Sequence, residues 1–129
     1  MQRNTWTFDY TSHRLAEAAQ SKIARHEGRL AHWRAQREAV LAKIRSEGLE
    51  IDEKLVMAYP SPKAQDWSRA NRVTVRDDLR QHLDECLEKL RAHTGLLRDY
   101  EAWNALLAAQ PEARLPLDAE DWHFFFGTG

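Results

Sequence analysis

The sequence predicts an all-α fold: an antiparallel hairpin of two long, coiled-coil-like helices with a short C-terminal helix and an aromatic N-terminal arm. Three observations predict it. The stretches 11–47 and 74–110 contain no proline. Both repeat apolar residues at alternating steps of three and four, the spacing that keeps one helix face towards a partner. One antiparallel register also brings the two stripes together along their whole length. The chain of 129 residues is read as a single domain.

In the arm, Trp6, Phe8 and Tyr10 alternate with Thr7 and Asp9. A period of two is that of an extended segment with its aromatics on one side. Thr11 and Ser12 then offer hydroxyls to cap a helix N-terminus. The stripe of the first helix, 11–47, is Leu15, Ala19, Ile23, His26, Leu30, Trp33, Arg37, Val40 and Ile44. Gly48 suits the left-handed residue that stops a helix. A connecting loop over 48–73 follows, too long for a tight turn. Within it, Asp52 is expected to cap a short helical turn through Met57, and Pro60 and Pro62 to favour extended backbone around Ser61.

Thr74 with Asp77 resembles a capping box at the start of the second helix, 74–110. Its stripe is Val75, Leu79, Leu83, Cys86, Leu90, His93, Leu97, Tyr100, Asn104 and Leu107, and Pro111 ends it. In the C-terminal cap, 111–129, Asp118 with Asp121 opens a short helix through Trp122 and Phe124 to Phe126, after which Gly127 and Gly129 are expected to fray. The register pairs Ile44 with Val75, Trp33 with Leu87, Leu30 with Leu90 and Ile23 with Leu97, and sets Ala18 and Ala19 near Trp103. It brings the arm aromatics to Trp122, Phe124, Phe125 and Phe126 as an aromatic cap.

Charge limits the functional classes. A net charge of −1 with 30% charged residues gives no whole-protein field for nucleic acid or membrane. The first helix carries eight Lys/Arg against four Asp/Glu over 12–48, and the second carries five against seven over 73–110. Opposite signs suit antiparallel partners. The one cysteine, Cys86, permits no intrachain disulfide. The N-terminal residues lack a secretory pattern, and no run approaches the ~18 apolar residues of a membrane span, so a cytoplasmic location is expected.

A stripe of small residues, Ala24, Gly28, Ala31, Ala35, Ala39 and Ala42, lies beside the main seam of the first helix. It reads either as good helix formers on an exposed face or as a second packing surface. A twofold partner completing a four-helix bundle is the expectation, hence a homodimer.

Candidate chemistry is sparse. The register sets His26 opposite His93, as a metal or pH-sensing pair, as a polar layer that fixes pairing, or with one or both simply reaching solvent. Facing imidazoles would depress each other's pKa, and burial would add to this. His82 and Cys86 stand one turn apart, with no third ligand near in sequence. Cys86 sits in the seam, where burial makes a thiol inert. Asp77/Asp78 and Asp84/Glu85/Glu88 read as a solvated helix face. No phosphate loop or nucleophile elbow is present in the sequence.

The connecting loop supplies Lys63, Trp67, Arg69 and Arg72, with Arg76 and Arg80 following. Tryptophan and arginine are common anchors of binding surfaces. The first four are the candidate partner-binding residues, although Trp67 folding back and the arginines pairing with Asp66, Asp77 and Asp78 is the plainer account. The expectation is a non-catalytic helical assembly or interaction protein with no cofactor and no metal. It acts on a protein partner through its helical faces and connecting loop. One alternative is a nucleic-acid-associated accessory protein using the Lys63–Arg80 region; residues 49–72 hold four charges of each sign, which disfavours it. A second is a small metal or redox protein around His26, His93 and Cys86.

Overall fold

A computed structural model of the chain describes residues 7–49 and 75–128. In order these form β1 (Phe8–Thr11), α1 (Ser12–Ser46), α2 (Asp77–Ala109), β2 (Arg114–Leu117) and α3 (Ala119–Phe126). The fold is all-α, with α1 and α2 packed against each other, a short C-terminal helix and an N-terminal strand. The expected turn through Met57, the extended backbone at Pro60 and Pro62, the capping role of Thr74, and the ends at Trp6 and Gly129 lie outside the described residues. Among the described residues, no helix is long and apolar enough to cross a membrane.

The expected helix ends are present where they are described. The Thr11 hydroxyl accepts from the Arg14 N–H at 3.2 Å, capping α1. At the other end Gly48 has φ +84°, its N–H donates to Arg45 O, and the Leu49 N–H donates to Ile44 O. That pair of bonds is the Schellman arrangement, and Leu49 completes it by packing against the cluster that contains Ile44. Helix α2 begins at Asp77, with the Arg76 carbonyl accepting from Arg80 N–H at 2.9 Å. Asp118 caps α3 by accepting from the Asp121 N–H at 2.8 Å.

The chain divides into two compact units. In the unit spanning Gly28–Thr94, the core is Val40, Leu41 and Ile44 from α1 against Leu79, Leu83, Cys86 and Leu87 from α2, with Val75 before it. Trp33 is half-buried against this cluster. The seam residues of both helices are buried or half-buried, as their spacing predicts; Leu41 and Leu87 are buried beside them. The small-residue positions Gly28, Ala31, Ala35, Ala39 and Ala42 are all exposed.

The other unit joins Met1–Glu27 to Gly95–Gly129. Its core is Leu15, Ala18, Ala19, Leu107, Leu117 and Phe125, flanked by Tyr10, Leu115, Phe124 and Phe126. Strand β1 pairs antiparallel with β2, Phe8 opposite Leu117 and Thr11 opposite Arg114. Pro116 lacks an N–H but is tolerated because this ribbon has only edges. Ser12 adds two bonds to Ala113 O, from its N–H at 2.9 Å and its hydroxyl at 3.2 Å. Of the arm aromatics, Tyr10 joins the C-terminal cluster: the Tyr10 and Phe126 rings lie 5.0 Å apart, and Trp122 Nε1 donates to the Tyr10 hydroxyl at 3.1 Å.

His26 stacks on Tyr100 with ring centroids 5.6 Å apart, and Gln20 Nε2 meets Asn104 Oδ1 at 3.4 Å. One expectation is corrected in this unit. Gly127 does not fray. It is buried, its N–H donates to His123 O, and its carbonyl accepts from the buried Lys22 ammonium. Beside it, Arg25 Nη2 donates to Thr128 O at 3.1 Å.

Candidate functional site

Lys63, Trp67, Arg69 and Arg72 lie outside the described residues. At the described edge of that region the arginines are engaged. Arg76 pairs with Glu47 at 2.9 Å and Asp78 at 2.8 Å, and Arg80 with Asp77 at 2.7 Å. The Arg76 hydrogen bond holds the Asp78 carboxyl below its usual range. These contacts are those of a solvated, internally neutralised helix face.

His26 and His93 are both buried, each in its own unit. His26 forms one end of a ring stack. Tyr100 lies between it and Phe124, the latter pair 4.2 Å apart and nearly parallel. The Tyr100 hydroxyl donates to the Phe124 carbonyl, and burial pushes its phenol up, with the Arg25 charge opposing. Among the described residues, no three His, Cys, Asp or Glu side chains gather as metal ligands. Cys86 is fully buried in the apolar core. Burial, then the Glu85 charge, push its thiol up, and Arg37 works against them. A thiol so placed is a poor nucleophile.

A cleft in the unit that holds both strands is the feature best suited to binding. It encloses about 480 Å³ and is lined by Trp103, Leu106 and Ala102 from α2, Leu115 to Leu117 from β2, and Phe124 and Phe125 from α3. Phe125 is buried beneath it and meets the edge of Trp103, ring centroids 5.6 Å apart at 75°. Trp103 and Leu106 stay 39% and 60% exposed. Their exposure follows from helical phase. Tyr100, Asn104 and Leu107 form the stripe turned to α1, so Trp103 and Leu106 fall to its side.

The rim is acidic. Asp99 stands on α2, and Glu120 and Asp121 open α3; among the described residues no Lys, Arg or His lines the cleft. None of the three carboxylates forms an ion pair among the described residues. Glu120 and Asp121 also complement the positive end of the α3 dipole. Residues 95–129 carry Arg98 and Arg114 against Asp99, Glu101, Glu112, Asp118, Glu120 and Asp121, while residues 1–27 of the same unit are near balance, with Arg3, Arg14, Lys22 and Arg25 against Asp9, Glu17 and Glu27.

The expected register sets Trp103 near Ala18 and Ala19 and points to no cleft there. The signal for the cleft was the presence of two large apolar residues, Trp103 and Leu106, outside a seam already complete without them. Compared with known protein families, curated proteins and solved structures, the chain matches none.

Proposed function

We propose that the chain is a non-catalytic helical interaction protein whose docking place for a protein partner is the cleft beside Trp103 and Leu106. The observation that carries this reading is the exposure of two large apolar side chains at the mouth of a shaped recess. Isolated exposed apolar residues are ordinary, whereas a concave apolar patch with a polar rim has the anatomy of a binding surface. A photo-crosslinking residue at position 106, in the full chain expressed in its native cell, should give one discrete higher-mass adduct. The same residue at the exposed position 91 of the other unit should give none. Absence of an adduct at 106, or equal labelling at both sites, would refute the reading.

Self-association is a second reading, favoured by the small-residue face of α1. Ala31, Ala35, Ala39 and Ala42 are exposed, and a Cβ added at Gly28 would meet nothing within 4 Å. Such a face allows close approach of a helix from a second copy. Light scattering should then give twice the 15.0 kDa chain mass at micromolar concentration. A folded species that stays at the single-chain mass would exclude it.

A further inference from the structure

We infer that the occupant of the cleft is a basic, apolar segment of a partner protein, in which Leu- or Trp-like anchors alternate with Lys or Arg. The inference rests on the docking role proposed above and adds the chemistry of the partner.

Three observations select this chemistry. The floor is apolar, with Trp103 and Leu106 open to solvent, so the occupant must bring apolar side chains to cover them. The rim is all of one sign: Asp99, Glu120 and Asp121 have no cationic neighbour in the lining and no ion pair among the described residues. An acidic or phosphorylated segment would meet like charge there, whereas a basic one gains complementary partners at each edge. The third observation is openness. A site that encloses a small molecule covers most of its surface, typically ~70–90%. A recess whose own anchors are 39% and 60% exposed suits a segment lying across it, part in and part out. Basic residues of that segment would meet Asp99 on α2 and Glu120 and Asp121 on α3.

The closing experiment uses the full chain and two fluorescein-labelled amphipathic peptides of about four helical turns. One is built of Leu and Lys, the other of Leu and Glu in the same pattern. Fluorescence anisotropy should show the Leu/Lys peptide binding at least about tenfold tighter in about 0.05 M salt, a margin that shrinks as salt screens the rim. The triple variant Asp99→Asn, Glu120→Gln, Asp121→Asn should remove that margin. Leu106→Gln, at an exposed position that leaves the fold intact by circular dichroism, should weaken the Leu/Lys peptide several-fold.

If both peptides bind equally and Leu106→Gln weakens both, the cleft docks apolar segments without regard to charge. The present inference then fails while the docking role survives. If the Leu/Lys peptide ignores Leu106→Gln, its attraction is diffuse and both fail. If the protein alone is a dimer that Leu106→Gln dissociates, a second copy covers the cleft, and the basic-segment inference is overturned.

Discussion

Phe125 joins the C-terminal helix to the core and gives the sharpest stability test. It is 3% exposed, packs in the cluster with Leu15, Ala19, Leu107 and Leu117, and meets both Trp103 and Phe124 edge-on. Phe125→Ala removes that burial and leaves a void. Large aromatic truncations in cores cost about 3–5 kcal/mol. One side of the ring borders the cleft, where water and Trp103 can move in, so the lower figure, about 3 kcal/mol, is expected. With an unfolding entropy of ~2.1 cal/mol/K per residue, this corresponds to a fall in Tm of about 10 °C. Urea melts followed by circular dichroism measure the change against Phe8→Ala, a 57% exposed aromatic that should cost less than about 0.5 kcal/mol. A double-mutant cycle with Trp103→Ala should return a coupling of about 0.5–1.5 kcal/mol for the edge-to-face pair. If Phe125→Ala costs no more than Phe8→Ala, α3 is not held by its buried face and the cleft has no floor.

The remaining predictions concern single residues. Cys86 should react with an aromatic disulfide reagent far more slowly than a free thiol at pH 8, and at the free-thiol rate in denaturing urea, because burial raises its pKa and blocks access. Gly48→Ala should cost about 1 kcal/mol in a urea melt. The space there is open, but φ +84° is strained for any residue with a Cβ. An NMR titration should find the Asp78 carboxyl below its ordinary value, and Arg76→Gln should return it towards that value. Its folded pKa is the lower one, so this contribution is present above the unfolded pKa of ~3.9 and is lost as pH falls through the folded value.

Much of the hairpin was legible because burial on a long helix repeats. Leu15, Ala19, Leu30, Val40 and Ile44, with Leu79, Leu83, Leu90 and Leu107, could be picked by spacing alone and are buried. The caps at Thr11, Gly48 and Asp118 were legible because each needs a particular side chain or backbone conformation at one position. The register was less so, for the same reason that the stripe was clear. A periodic pattern overlays itself again after a turn or two, so sliding one helix costs little in pattern match. A contact such as the stack of His26 on Tyr100 depends on three-dimensional packing and follows from no spacing rule. Strand β2 was missed because Arg114–Leu117 is short and contains Pro116, and its partner lies about a hundred residues earlier. The cleft draws on α2, β2 and α3 at once, so no local window contains it.

The pairing of Phe8–Thr11 with Arg114–Leu117 has a consequence for how the chain is made. Residues 7–27 share a compact unit with residues 95–128 and meet them only when those have been synthesised. At a translation rate of ~5–20 residues per second, Leu15, Ala18 and Ala19 wait roughly 5–20 s for Leu107, Leu117 and Phe125. The unit spanning Gly28–Thr94 completes its own contacts sooner. During synthesis the leading end of α1 is therefore a sticky, orphaned surface, and a chaperone that shields it should raise the yield of correctly assembled protein.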